Sequence, residues 1–222
     1  MKITVLCNCG VFLQTNNAAL LVDALNSNFD PFFELPDEEY GKMLRAEPPY
    51  DVPLGIAFTH LHPDHYCESK LKMLLQARKD VQVLMPTAFD RKETILNGAF
   101  CVETYAIAHT PAPGYDDVVH NSLYICADTS TYITSDAICD VKLHEKFLSG
   151  RKADVSFWNP QYLSYPQTRK LIEDASVRTV IYHTPLDEKD VSGIRTKAVH
   201  SIERFADELH STDLILSYPC YV

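Results

Sequence analysis

Apolar residues along this chain come first in short runs and later in a β/α alternation. "ITVLC" (3–7), "VFLQT" (11–15) and "ALLVD" (19–23) are brief and strand-like, separated by the turn residues "NCG" and "NN". That spacing predicts antiparallel hairpins. Residues 29–55 are rich in proline and predict a loop carrying one short helix. "LGIAF" then reads as a buried strand, and "HYCESKLKMLLQARK" sets Leu71, Leu74 and Leu75 at helical spacing. "VQVLM" predicts a strand, followed by a mixed segment, the strand "CVETYAIA", the strand pair "NSLYICA" and "TYITS", and a helix near "DVKLHEKFL". The last third alternates: strand "DVSFW", helix near "PQTRKLIEDA", strand "RTVIY", a long amphipathic helix over about 188–210, and strand "LILSY". The pattern predicts a mixed α/β (α+β) fold, one domain over residues 1–222, with sheets covered by helices.

Several of these runs stop on a residue that can bind metal. "GIAFT" leads to His60, "TYAIA" to His109, "YITS" to Asp136 and "TVIY" to His183, while "ALLV" ends on Asp23. In layered α/β folds, sites gather at the carboxyl ends of strands. Distant parts of the chain can therefore deliver ligands to one sheet edge. The densest stretch is "FTHLHPDHY", with His60, His62, Asp64 and His65 in six positions. Residues two apart on an extended chain face the same side, so His60 and His62 can share one ion. Pro63 bends the path and Asp64 is placed to cap the following helix, which directs Asp64 and His65 toward a neighbouring point. Imidazole and carboxylate suit zinc and similar divalent metals, and this arrangement fits two ions better than one.

The "THLHPDH" run matches the T-H-x-H-x-D-H signature of the metallo-β-lactamase fold hydrolases, which the chain resembles from about residue 3 to 184. "VFLQTNNAALLVDA" resembles that family's opening hairpin, "AIAHTPAPG" its third-histidine segment, "YITSDAI" the place of its Gly-Asp pair, and "VIYHTP" its last histidine motif. The resemblance implies a four-layer αββα sandwich. It implies that His60, His62 and His109 bind one metal, that Asp64, His65 and His183 bind a second, and that Asp136 bridges them. It also implies a hydroxide held between two divalent ions, zinc above all with manganese or iron as alternatives, as the nucleophile, assisted by Asp64. Ser135 departs from the usual glycine. His120 rivals His109 as third ligand; His109 is preferred because it ends a strand, whereas His120 begins one. Asp23 is expected to orient a ligand rather than to bind metal. The remaining histidines, His144, His200 and His210, and the seven cysteines are read as structural, with no partner visible for His144.

Composition narrows the function further. Twenty basic against 30 acidic residues give a net charge of −10, which disfavours nucleic acid, whose binding needs phosphate neutralisation. No window approaches the ~20 apolar residues of a membrane span, and unpaired cysteines suit a reducing cytoplasm. The expected function is hydrolysis of a small ester, lactone, thioester or phosphodiester. The short chain resembles the compact branch that holds sugar-phosphate lactonases and small phosphodiesterases, and Asp136 argues against true β-lactamase activity. Iron-dependent oxygen or redox chemistry on the same fold, and a non-catalytic metal-binding regulator, are the alternatives. "FWNPQYL" places Trp158, Asn159 and Tyr162 past a strand end, where they could line a pocket or fill the core.

Overall fold

A computed structural model describes residues 1–111, 118–215 and 218–222. The end of the "AIAHTPAPG" motif and part of "LILSY" lie outside the described residues. One sheet contains β1 (Lys2–Cys7), β2 (Gly10–Gln14), β3 (Ala19–Val22), β4 (Leu54–Ala57), β5 (Gln82–Leu84) and β13 (Cys220–Tyr221), in the order β13-β1-β2-β3-β4-β5. The other contains β6 (Arg91–Leu96), β7 (Phe100–Ala106), β8 (Asn121–Cys126), β9 (Ser130–Ile133), β10 (Ala153–Trp158), β11 (Ser176–Ile181) and β12 (Thr212–Leu214), in the order β12-β11-β10-β9-β8-β7-β6. The helices are α1 (Asp37–Leu44), α2 (Glu68–Ala77), α3 (Val141–Leu148), α4 (Pro166–Ala175) and α5 (Ile194–Arg204).

Strand periodicity sorts the side chains into layers. Ile3, Val5, Val11, Leu13, Leu20 and Val22 face the second sheet and meet Val102, Leu123, Ile125, Ile133, Phe157 and Val180. Their neighbours Leu6, Phe12, Ala19 and Leu21 face outward beneath Tyr40 and Met43 of α1 and Leu71 and Leu74 of α2. On the far side, Tyr124, Tyr132, Trp158 and Ile181 pack against Phe147 of α3, Leu171 and Ile172 of α4, and Ala198 of α5. Two sheets face each other between two helical layers, the αββα sandwich expected from the sequence. Among the described residues no helix is long and apolar enough to cross a membrane.

Strand direction puts the site at one edge. β3 and β4 are parallel, as are β9, β10, β11 and β12, so several strands end on the same side. The β1–β2 turn closes tightly there: a Cβ at Gly10 would lie 2.3 Å from Cys7 Sγ and 2.9 Å from Ala24 Cα, so only glycine fits beside the Asp23 turn.

Some elements differ from the sequence reading. α2 starts after Cys67, not Asp64, because the "HPD" segment makes its own turn, in which the N–H groups of His65 and Tyr66 both bond His62 O. The mixed segment after β5 contains edge strand β6, mostly exposed and paired only with β7. The predicted helix over 188–210 is shorter: Gly193 at φ +69° marks its start, and Asp190 accepts hydrogen bonds from the N–H groups of Arg195 and Thr196. His200 is exposed on α5, and His210 is exposed beyond it.

His144, expected to have no partner, is fully buried on the inner face of α3. Its Nδ1 accepts from the Tyr132 hydroxyl, and its Nε2 lies 2.7 Å from Tyr162 Oη. The Tyr162 hydroxyl donates to the carbonyl of Ala137 at 3.0 Å, which leaves its oxygen to accept from imidazole N–H. Burial holds the His144 pKa down, from the ordinary 6.5 to about 4. A depressed histidine pKa contributes stability that is complete above the unfolded value and is lost as pH falls through the folded one. Between pH 6.5 and 4 the wild type should therefore lose about 3 kcal/mol more than a His144→Gln variant does. Urea midpoints measured across that range should converge for the two proteins; parallel curves would count against this assignment.

Candidate metal centre

The edge of the sandwich gathers six chain segments. Asp23 follows β3, the stretch from Thr59 to His65 follows β4, His109 follows β7, Asp136 follows β9, Asn159 follows β10 and His183 follows β11. Three of these positions leave their strands in the left-handed conformation: Asp23 at φ +50°, Ser135 at +51° and His183 at +59°. Such values cost an L-residue roughly 1 kcal/mol or more and concentrate where backbone strain serves a site. They turn the chain sharply as it leaves each strand, which sets His183 and the Asp136 that follows Ser135 at the cleft and Asp23 behind His65. They also explain why glycine is usual at position 135 in the family the sequence resembles. Here a serine takes the strain and adds a hydroxyl that lies 2.8 Å from Thr59 Oγ1.

Two overlapping ligand sets result. Single ligand atoms of His60, His62, His109 and Asp136 all lie within 4.8 Å of one another, as do those of Asp64, His65, Asp136 and His183. Asp136 belongs to both. Its Oδ2 lies 3.7 Å from His60 Nε2, 3.5 Å from His65 Nε2 and 3.5 Å from His109 Nε2. Its Oδ1 lies 2.7 Å from His183 Nδ1. Asp64 Oδ2 stands 3.1 Å from His183 Nε2 and 3.4 Å from His65 Nε2. All seven residues singled out in the sequence are thus brought together.

The surrounding hydrogen bonds set the tautomers. Asp23, fully buried, accepts from the Thr59 backbone N–H at 2.8 Å and from the Thr59 hydroxyl at 2.6 Å. Its Oδ2 also lies 3.1 Å from His65 Nδ1, so the proton of that ring sits on Nδ1 and Nε2 faces the cleft. His60 Nδ1 lies 3.1 Å from Thr59 Oγ1, which aims its Nε2 inward in the same way. The His109 Nδ1–H donates to the Thr110 carbonyl. The Nε2 atoms of His65, His109 and His120 are all buried without a hydrogen bond, and those of His65 and His109 also lie within the ligand sets, as expected of nitrogens shaped to receive a cation. Asp23 therefore orients His65 rather than facing the cleft.

His120 is also close, with its ring centre 5.2 Å from His60 and 5.8 Å from His109. Its Nδ1–H donates to the Ile107 carbonyl at 3.0 Å, and it joins neither ligand set. His109 is the better placed of the two.

Electrostatics fit the same picture. Burial alone would raise the Asp136 carboxyl, but the charge and hydrogen bond of His183 and the His109 and His65 imidazoles 3.5 Å away hold it well below the usual range. Burial likewise opposes ionisation of Asp64, and His65 and His183 overcome it. Burial and the neighbouring His65 keep His60 neutral. Burial also works against protonation of His183 and His65, yet the carboxylates and Cys9 around them raise both well above the ordinary value. Two buried anions thus call for positive charge, which protons or divalent cations can supply. Imidazole nitrogens and carboxylate oxygens in this number fit zinc or a similar ion.

Asn159 had only its place past a strand end as a signal in the sequence, and Cys9 had none. Asn159 donates through Nδ2 to Asp136 Oδ1 at 3.0 Å and steadies that carboxylate. Cys9, at the β1–β2 turn, is fully buried, with its sulfur within 4.8 Å of ligand atoms of His65 and His183. Trp158 and Tyr162 are buried in the core instead of lining the cleft.

No protein-family model matches the chain, and no curated protein matches it in sequence. Solved structures do. A possible metal-dependent hydrolase from Veillonella parvula DSM 2008 superposes with a TM-score of 0.67 at 13% identity, covering 100% of this chain and 98% of that one. A mutant of CmlA beta-hydroxylase gives 0.68 at 13% identity over 100% of this chain, which spans only 53% of that protein. Zn(2+)-bound PqqB from Methylobacterium extorquens gives 0.58 at 11% identity, covering 96% and 86%. Sandwich and likenesses together establish the metallo-β-lactamase fold. A buried His/Asp cluster able to hold metal lies at its sheet edge.

Proposed function

We propose that the protein is a dinuclear metal-dependent hydrolase acting on a small ester, lactone or phosphodiester. The observation that supports this most is Asp136, one carboxylate shared by two ligand sets. His60, His62 and His109 would hold one divalent ion, Asp64, His65 and His183 the other, with Asp136 between them. Bound there, such ions lower the pKa of water toward neutrality and polarise a carbonyl or phosphoryl oxygen. Asp64 borders the cleft as an ionised carboxylate, so its oxygen can orient water and take up a proton. Asp23 and Thr59 keep the His65 and His60 rings in position through turnover. Zinc is the expected metal, and a cytoplasmic location is the expected setting.

A second reading, oxygen chemistry with iron, is favoured by the likeness to a beta-hydroxylase. Metal analysis separates the two. Protein purified without chelator and supplied with zinc should carry about two ions per chain. It should hydrolyse at least one member of a panel of small esters and phosphodiesters, and chelation should abolish that activity. Less than one ion per chain after supplementation would overturn the dinuclear reading. Native iron together with an inert ester panel would favour the second.

A further inference from the structure

The cleft is a cavity of about 230 Å³, and its described walls divide sharply by chemistry. Five walls are the candidate ligands His62, Asp64, His109, Asp136 and His183; the other two are Phe29 and Phe32. The Phe32 ring lies 4.5 Å from that of His183, and Phe29 stacks on Phe32 at 6.4 Å with planes 9° apart. Both phenylalanines are only half-buried, so each keeps a face toward the cleft.

The loop that carries them is fixed in place. The Phe32 N–H donates to the Phe29 carbonyl at 2.9 Å, closing the turn. The Ser27 N–H and hydroxyl both donate to the Pro63 carbonyl, at 2.8 and 2.9 Å, tying the loop to the middle of the "HPD" ligand segment. Asn26 accepts from the Leu35 N–H at 2.8 Å and donates to the Phe33 carbonyl at 3.1 Å. Phe33 stacks on Tyr218 at 5.0 Å, and Lys189 pairs with Asp30 at 3.4 Å. No lysine or arginine is among the described walls of the cavity. An anionic group outside the metal positions would meet apolar rings and carboxylates there, which is costly.

We infer that the substrate is an uncharged ester or lactone with a flat apolar group next to the reacting carbonyl, seated against Phe29 and Phe32. A sugar phosphate does not fit these walls. The inference rests on the hydrolase reading and deepens it. A planar group stacks offset or edge-on with two aligned rings, an arrangement that adds to simple area burial.

The test uses the zinc-loaded protein and has two arms. The first measures binding of phenylacetate and of acetate by calorimetry, without any turnover. Phenylacetate should bind roughly tenfold tighter. The second compares kcat/KM for methyl phenylacetate, methyl acetate and a hexose-phosphate δ-lactone. Methyl phenylacetate should lead, and Phe32→Ala should lower its advantage over methyl acetate roughly tenfold through KM, with zinc content retained. Phe29→Ala, which leaves the ring against His183 in place, should lower the same ratio if Phe32→Ala does not fold. Equal binding of the two carboxylates, a ratio unmoved by either variant, or preference for the phosphorylated lactone each overturns the inference. If no ester is turned over, the hydrolase reading fails while the binding arm still decides the role of the aromatic wall.

Discussion

Asp136→Asn is expected to cost the protein both metal positions at once. The amide keeps the size of the side chain and can still meet Asn159, but it removes the one negative charge that both ligand sets share. Every other candidate ligand belongs to one pair of neighbours: His60, His62 and His109 on one side, Asp64, His65 and His183 on the other. Loss of a ligand on one side leaves the other set complete. Loss at 136 leaves three imidazoles with no anion on one side and Asp64 with two imidazoles on the other, each set short of the carboxylate they shared. Retained zinc after dialysis should fall from about two ions per chain to below one, an affinity loss on the order of 10² or more. Hydrolysis should fall with it. Full zinc retention in Asp136→Asn would show that the two sets do not depend on a common bridge.

Asp64→Asn is expected to remove the proton acceptor and weaken the second metal position while the first persists. The Asp64 carboxylate stands at the cleft wall, close to the nitrogens of His65 and His183, and stays ionised despite burial. Asparagine fills the same space and can still offer one oxygen, but it cannot accept a proton at neutral pH. Turnover should drop on the order of 10²–10⁴-fold, the range associated with a positioned proton acceptor. The set of His60, His62, His109 and Asp136 is untouched, so about one ion per chain should remain. Unchanged turnover would remove Asp64 from the proposed mechanism.

Much of the fold was legible because its strands are buried and keep a strict period. β1 to β4 send alternate residues to two different apolar layers, so each reads as a short hydrophobic run with a turn at either end. The ligand positions were visible because they stand directly after such runs. β6 was not legible, since an edge strand with exposed Arg91, Lys92 and Glu93 has no buried face to impose alternation. The end of the last helix was misjudged because the apolar period continues through Phe205 and Leu209, residues that pack on the core from outside the helix. His144, Asn159 and Cys9 gain their partners only through contacts between remote segments. Nothing beside them in sequence announces Tyr132, Asp136 or His65.

The division of the ligands between the sheets has a mechanical consequence. His60, His62, Asp64 and His65 hang from the first sheet, while His109, Asp136 and His183 hang from the second. On the proposed reading a bound cation is therefore a clasp across the open rim of the sandwich. Asp64 and His183, both in one set, are 119 positions apart, so the clasp closes a loop spanning more than half of the chain. Closing so long a loop restricts the unfolded ensemble much as a distant cross-link does. The parting of the two sheets at that rim and the release of the cations then become a single event, and the metal's residence time sets how often the rim can open.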